Sequence, residues 1–133
     1  MVRAKDLMTA TLVSVDPDDT VESAISLMLA HSVSTLPVID GSNRLLGIVS
    51  EFDLLDLAFG DERRNRSVFA YMTRQLHTVN EDEPVGTVAE TFRLFGVQSL
   101  PVMREGRLVG IVSRVDVLRH LRDETAAARK AAR

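Results

Sequence analysis

The sequence predicts a mixed α/β (α+β) fold made of two tandem repeats, each with the element order β-α-β-β-α. Three observations predict it: the 133-residue chain matches itself at a nearly constant offset, the hydrophobic period changes in the same order in both copies, and Pro, Gly, Ser and Asp recur at matched positions. Shared secondary structure explains matched apolar residues but not matched Pro, Gly, Ser and Asp. We therefore interpret the chain as an internal duplication.

The alignment of the two copies needs only one change of register. An offset of 64 residues places Leu36-Pro37-Val38 on Leu100-Pro101-Val102. After one deletion in a turn, an offset of 63 places Gly47-Ile48-Val49-Ser50 on Gly110-Ile111-Val112-Ser113. The chain is accordingly divided into a first repeat, a linker, a second repeat and a helical or disordered tail, at residues 2–58, 59–66, 67–121 and 122–133.

In the first copy the hydrophobic period changes three times. Thr20 is a typical N-cap, and apolar residues follow it at helical spacing as far as His31. Runs rich in β-branched residues on both sides of an Asp-Gly-Ser-Asn turn predict a hairpin. The predicted elements are a strand at 12–15, a helix at 21–31, strands at 36–39 and 45–49, and a helix from Ser50 through Leu57.

The second copy repeats this order, and Pro84 is placed where a helix start tolerates a missing N–H. About fifty residues with a three-stranded sheet bury too little surface to be stable alone. We therefore expect the copies to pack sheet to sheet about a pseudo-twofold axis, with a cleft between them. The predicted elements are a strand at 76–79, a helix through Phe95, strands at 100–103 and 108–112, and a helix from Ser113; Met28, Phe92 and Phe95 are expected in the core.

Composition excludes several classes of protein. Without cysteine the chain has neither disulfides nor thiolate metal sites, and no run approaches the roughly 20 apolar residues of a membrane span. A net charge of -3 argues against nucleic-acid and anionic-membrane binding. A cytoplasmic location is expected, and no metal site and no catalytic nucleophile with a neighbouring base is found. Two clusters of basic residues are interpreted as exposed, solvated charge. They are Arg63, Arg64 and Arg66 in the linker, and Arg129, Lys130 and Arg133 in the tail.

The ordered motifs resemble a known family. Met-Thr before a strand, Leu-Pro-Val before a hairpin, and Gly-Ile-Val-Ser-x-x-Asp entering a helix occur twice, and together they are similar to the cystathionine-beta-synthase (CBS) repeat. The resemblance covers the chain except linker and tail. It implies a stand-alone regulatory pair of repeats, not an enzyme, that binds AMP, ADP, ATP or a related adenosyl ligand and often dimerises.

The resemblance also implies the binding residues. The Asp of Ser-x-x-Asp accepts hydrogen bonds from ribose hydroxyls, and a carboxylate has the acceptor geometry that a vicinal diol requires. Ser and the helix start face ribose or phosphate. One composite cleft is expected to contain Ser113, Asp116, Arg114 and Ile111 with Val13, Ser34 and Thr35, and the other Ser50, Asp53 and Ile48 with Gln75, His77, Gln98 and Ser99.

The two expected sites differ in charge. Arg114 lies inside the second Ser-x-x-Asp, whereas Glu51 occupies the matched position in the first. The Arg114 site is therefore predicted to bind phosphorylated adenosines more tightly. Family members that grip phosphates often have basic residues just before Leu-Pro. The Ser34-Thr35 and Gln98-Ser99 pairs found there argue against tight triphosphate binding.

Three alternatives stay open. Ser-x-x-Asp before an apolar helix is also a capping box, and capping and ligand binding are compatible. The chain is alternatively a ligand-free module for dimerisation and protein interaction. The third alternative is nucleic-acid binding through the linker and tail arginines. A homodimer is expected in the leading hypothesis, because helix faces bearing Leu54, Leu55, Val117 and Leu118 would be incompletely covered in one chain; the regulated partner is not identified.

Overall fold

The structure is a computed structural model, which describes residues 1–10, 12–55, 60 and 65–132. It divides into two compact units. Unit 1 comprises residues 1–11, 77–104 and 109–133, and unit 2 comprises residues 12–76 and 105–108. Each unit is built mainly from one repeat. The segment that begins each repeat, however, lies in the unit formed by the other.

From its first helix onward, unit 2 follows the predicted order of elements. The side chain of Thr20 accepts a hydrogen bond from the Ser23 N–H at 3.1 Å, which confirms the predicted N-cap. The C-cap of this helix is Ser32, which is in the left-handed conformation with a φ of 53°. The elements are α2 (Val21–His31), β1 (Thr35–Ile39), β2 (Leu45–Ser50), α3 (Glu51–Leu54) and a 3-10 turn (Val68–Ala70); Leu57, predicted in the last helix, lies outside the described residues.

The hairpin of unit 2 is set by its turn. Strands β1 and β2 are antiparallel, with Thr35 opposite Ser50. In the turn, Asp40 Oδ1 accepts hydrogen bonds from the backbone N–H groups of Ser42 and Arg44 at 2.8 and 3.0 Å. The bonds from Arg44 and Ser42 hold the pKa of the Asp40 carboxyl below its ordinary value. This carboxylate stabilises the turn that the sequence predicted.

Unit 1 has a three-stranded sheet in the order β3-β4-β5, with β3 parallel to β4. Helix α4 (Val85–Phe95) is followed by its C-cap, Gly96, whose φ of 62° favours glycine. The predicted tail continues the last helix as far as Ala131. The elements are α1 (Ala4–Leu7), β3 (Val79–Asn80), α4 (Val85–Phe95), β4 (Ser99–Arg104), β5 (Arg107–Ser113) and α5 (Arg114–Ala131).

The predicted strand at 12–15 is wrong in extent. Only Val15 pairs, in a parallel bridge to Val38, with its N–H donating to the Pro37 carbonyl and its carbonyl accepting from the Ile39 N–H. Continuing this ladder toward residue 13 would need the N–H of Pro37, which proline lacks. The matched strand β3 likewise begins only at Val79, which pairs with Val102 directly after Pro101.

The segment that begins the first repeat is held in unit 1 by backbone hydrogen bonds. The N–H groups of Ala4 and Lys5 donate to the carbonyls of Glu83 and Glu81 at 2.8 and 3.0 Å. Farther on, Thr9 forms an antiparallel bridge with Ile111 in β5. Ala4 is fully buried in the unit 1 core. Residues 2–9 are therefore an integral part of unit 1.

The segment that begins the second repeat is held in unit 2 in the same way. The N–H groups of Val68 and Phe69 donate to the carbonyls of Asp19 and Pro17 at 2.8 and 3.3 Å. Thr73 forms an antiparallel bridge with Ile48 in β2. In each of these contacts, the residue that belongs to the segment lies 64 positions after the residue that makes the matching contact in unit 1. The duplication thus extends to segments in which the sequence predicted no helix or turn.

Each unit has its own buried core. Met28 and Phe92 lie in these cores as predicted, but Phe95 does not, since its side chain is about half exposed and stacks on the ring of His77. Phe95 is the last residue of α4 and lies about one turn beyond Phe92, the last buried residue of that helix. Leu54 and Val117 are also buried within their units, which corrects the expectation that they would be uncovered. Leu55 and Leu118 are exposed as expected.

Candidate functional site

Both Ser-x-x-Asp elements form complete capping boxes. In α3, the Ser50 Oγ accepts from the Asp53 N–H at 3.2 Å, and Asp53 Oδ2 accepts from the Ser50 N–H at 2.9 Å. In α5, the matching bonds of Ser113 and Asp116 measure 3.2 and 2.8 Å. The same oxygen, Oδ2, makes the cap in both. Capping therefore uses one oxygen of each carboxylate and leaves Oδ1 to another partner.

The two Oδ1 atoms differ in what they bind. Asp116 Oδ1 accepts a hydrogen bond from a terminal nitrogen of Arg119 at 3.1 Å. For Asp53 Oδ1, no donor is found within the described part of the chain. The Ser50 hydroxyl also donates to Asp53 Oδ2 at 2.9 Å. Among the described residues, one oxygen of the Asp53 carboxylate thus has no donor, whereas both oxygens of Asp116 accept hydrogen bonds.

The residues before each Leu-Pro lie beside the capping box of the same repeat. In unit 2, the Ser34 carbonyl accepts from the Glu51 N–H at 2.9 Å. In unit 1, the Gln98 carbonyl accepts from the Arg114 N–H at 3.2 Å. These bonds satisfy the first N–H of each helix, which has no acceptor within the helix. Thr35 and Ser99 begin the adjacent strands β1 and β4.

The other predicted residues fall on both units. Ile48 and Ile111 lie in the last strand before each capping box and are partly buried. Val13 packs against the unit 2 core, and Gln75 is exposed. His77 is exposed, with its ring centroid 3.6 Å from that of Phe95 and the planes 12° apart. Each predicted cleft combines residues of both units, and that grouping stays a prediction.

Charge around the two capping boxes differs as the sequence predicted. Glu51 and Asp53 make the first turn of α3 acidic, while Arg114 and Arg119 lie on the first two turns of α5. Sequence analysis missed Arg119, although its i,i+3 spacing from Asp116 on a predicted helix was a signal for an ion pair.

Among the described residues no group of His, Asp and Glu is arranged to hold a metal ion. Of the linker and tail cations, Arg63, Arg64 and Arg133 lie outside the described residues.

The family model of the CBS domain matches the chain twice, at residues 4–60 and 67–123. The chain belongs to the CBS domain family. Each matched range contains one of the two Ser-x-x-Asp capping boxes. The resemblance inferred from the ordered motifs is thereby confirmed.

The curated relatives include proteins of similar and of much greater length. A CBS domain-containing protein of Dictyostelium discoideum is 33% identical over 129 residues, which cover 88% of this chain and 89% of that protein. The uncharacterized protein MJ1004 of Methanocaldococcus jannaschii is 31% identical over 121 residues, covering 90% of this chain but 56% of its own length. Inosine-5'-monophosphate dehydrogenase of the same organism is 31% identical, and 26% of its length is covered. The chain spans about half or less of these two longer relatives.

Solved CBS structures match the described fold. CBSX2 in complex with AMP has a TM-score of 0.85 and 28% identity, with 94% of this chain and 99% of that chain covered. The CBS domain pair of MJ0100, in complex with 5'-methylthioadenosine and S-adenosyl-L-methionine, has a TM-score of 0.81 and 25% identity, with 93% and 98% covered. The mixed α/β fold of two CBS repeats is therefore confirmed. In the described residues, no helix has both the length and the apolar character needed to cross a membrane.

Proposed function

We propose that this CBS pair is a non-catalytic regulatory module that binds an adenosyl ligand through the carboxylates of Asp53 and Asp116. The observation that carries the proposal is that Oδ2 alone makes the capping bond in both carboxylates, so the cap does not use Oδ1. A vicinal diol presents two hydroxyl donors, and a carboxylate oxygen accepts more than one hydrogen bond. The ribose can thus be bound without loss of the cap.

The comparisons support the class of ligand. CBSX2 binds AMP, and the MJ0100 pair binds 5'-methylthioadenosine and S-adenosyl-L-methionine. These ligands share an adenosyl group and differ in charge at the 5' position. We propose that the CBSX2 complex with AMP is the better guide to the ligand of the Asp116 site, because Arg114 and Arg119 place two cations there. The acidic Asp53 site suits a neutral or cationic adenosyl ligand.

Ligand class can be tested directly with a thermal-shift panel of AMP, ADP, ATP, NADH, S-adenosylmethionine, adenosine and GTP. A ligand present at 100 times its dissociation constant adds about 2.7 kcal/mol to the free energy of unfolding. We expect stabilisation by one or more adenosyl ligands and none by GTP, because the guanine base differs on its hydrogen-bonding edge. Stabilisation by all nucleotides alike, or by none, would contradict the proposal.

A second candidate function is protein association, which rests on exposed apolar side chains at matched positions of α3 and α5. Phe52 and Leu55 in the first repeat correspond to Val115 and Leu118 in the second, and Leu55 and Leu118 are 61% and 63% exposed. Apolar side chains exposed at matched positions of both copies favour an interaction surface. We propose that this surface forms a homodimer, and that ligand binding changes how the dimer engages a regulated protein.

A further inference from the structure

The carboxylate of Asp116 is shared between a helix cap and an arginine. Its Oδ2 accepts from the Ser113 N–H at 2.8 Å, and its Oδ1 accepts from Arg119 at 3.1 Å. The side chain of Asp116 is 17% exposed, whereas that of Arg119 is 56% exposed. The guanidinium therefore binds the one oxygen that the cap does not use, while more than half of the Arg119 side chain is exposed to solvent.

The first repeat has no equivalent arginine. With the offset of 63 residues, the position that matches Arg119 is Asp56, a residue of opposite charge that lies outside the described residues. Asp53 Oδ1 correspondingly has no donor in the described part of the chain. The arginine at the second site is thus a specific difference between the copies, and it changes access to the carboxylate proposed to bind ribose.

We propose that Arg119 is a specificity-determining residue that makes the Asp116 site select phosphorylated adenosyl ligands over uncharged nucleosides. This inference rests on the proposed function, since it assumes that ribose hydroxyls bind Asp116. The two hydroxyls of a ribose diol would fill both acceptor positions of Asp116 Oδ1, which is the oxygen that Arg119 binds. Binding of any adenosyl ligand therefore competes with the ion pair, and what happens to the released guanidinium decides the affinity.

Nucleosides and nucleotides differ in whether they offer an anion to the released Arg119 guanidinium. Adenosine offers it no anion, so the charge-assisted hydrogen bond to Asp116 is weakened without replacement. AMP offers a phosphate, which a planar guanidinium binds through two parallel N–H donors. Arg119 lies one helical turn beyond Asp116 on α5, and its long, exposed side chain can swing from the carboxylate toward a ligand bound there. Arg119 thus disfavours the nucleoside and favours the nucleotide.

The test is calorimetric titration of AMP and adenosine into the full chain carrying Asp53→Ala, so that only the Asp116 site reports. Arg119→Ala should bind adenosine about threefold more tightly and AMP about threefold more weakly, as expected for an exposed charge pair. The ratio of the two dissociation constants then shifts about tenfold. Arg119→Lys keeps the charge without the planar fork, and its ratio should lie between the two.

Two controls separate this role from general effects of charge. Arg122→Ala removes a guanidinium of the same helix that pairs with Asp123, and it should leave both affinities unchanged. Arg114→Ala removes a cation that does not hold Asp116, so it should weaken AMP without strengthening adenosine.

An unchanged ratio in Arg119→Ala, or an equal loss of both ligands, would overturn the inference while leaving the proposed function intact. An equal loss would mean that Arg119 only positions Asp116. Failure of both ligands to bind the Asp53→Ala chain while the unmodified chain binds them would show that the Asp116 site is inactive, and would also overturn the inference. Failure of the unmodified chain to bind any adenosyl ligand would overturn the proposed function itself.

Discussion

Met72 lies directly over Gly47. A Cβ atom built on Gly47 would be 2.8 Å from the Met72 Sδ and 2.8 Å from the Thr73 carbonyl oxygen. That carbonyl accepts from the Ile48 N–H, so it is fixed by the bridge between β2 and the segment beginning the second repeat. Gly110 has the same relationship with Met8 in unit 1. The glycine before each Ile-Val-Ser therefore makes room for the segment from the other repeat.

Gly47→Ala should consequently destabilise the protein by about 1–3 kcal/mol, the usual cost of overpacking. The matched control is Gly86→Ala, because Gly86 lies in helix α4 with open space where its Cβ would be. That change should stabilise the protein by about 0.5–1 kcal/mol, since alanine is the better helix former. Urea denaturation of the two variants measures both effects. Equal stability of Gly47→Ala and the unmodified chain would contradict the close approach.

Docking of the N-terminal segment should depend on pH through Asp82. The hydrogen bond from Lys5, at 3.1 Å, and the nearby charge of Arg3 hold the pKa of the Asp82 carboxyl below its ordinary value. A carboxyl with a lowered pKa in the folded state contributes stability above its unfolded pKa, about 3.9, and loses it as pH falls through the folded value. Lys5→Ala should therefore be less stable than the unmodified chain at pH 7.

The difference between these two proteins should shrink as the pH falls below the unfolded carboxyl pKa, about 3.9, and through the lowered pKa of Asp82. Urea midpoints measured from pH 7 down to pH 3 test this. Lys130→Ala, in the exposed last turns of α5, is a control that removes one cation without touching Asp82. A Lys5→Ala deficit that stayed constant over this range, or that Lys130→Ala reproduced, would contradict the assignment.

The parts of the fold that sequence predicted are those with a local signal. Thr20 at the N-cap, the Asp40 turn and both capping boxes depend on residues within a few positions of one another. The exchange of the segments 2–9 and 66–73 between units was missed, because it is made by backbone bonds between residues far apart in sequence and shows no hydrophobic period. The shortening of the first strand in each repeat was not predicted, because its cause is a proline in the neighbouring strand, Pro37 or Pro101.

At the candidate site, the sequence predicted the two capping boxes, and their role in ligand binding stays a prediction. The sequence identified Ser50, Asp53, Ser113 and Asp116, because duplicated polar residues at fixed spacing are visible without a structure. It did not identify Arg119: the i,i+3 spacing from Asp116 indicated an ion pair, but spacing alone does not show that the guanidinium binds Asp116 Oδ1. Phe95 was expected in the core because helical spacing alone does not reveal where a helix leaves its sheet.

The homodimer should depend on the exposed face that contains Leu118. Leu118→Glu places a charge on that face, where burial against a second copy would strongly disfavour it. Light scattering at micromolar concentration should give twice the mass of one chain for the unmodified protein and the mass of one chain for Leu118→Glu. Leu94→Glu, at an exposed position of α4, should remain dimeric. A strictly monomeric unmodified protein, with and without nucleotide, would contradict the dimer.

The central claim is that an adenosyl ligand binds through the carboxylates of Asp53 and Asp116, and calorimetric titration with AMP of the double variant Asp53→Ala/Asp116→Ala tests it most directly. Asp6→Ala is the matched control, because Asp6 makes the same capping-box bond to the Arg3 N–H at 2.9 Å but lies outside the proposed site. We predict that AMP binds the unmodified chain and Asp6→Ala alike and that the double variant shows no heat of binding. Undiminished AMP binding by a folded double variant would contradict the account.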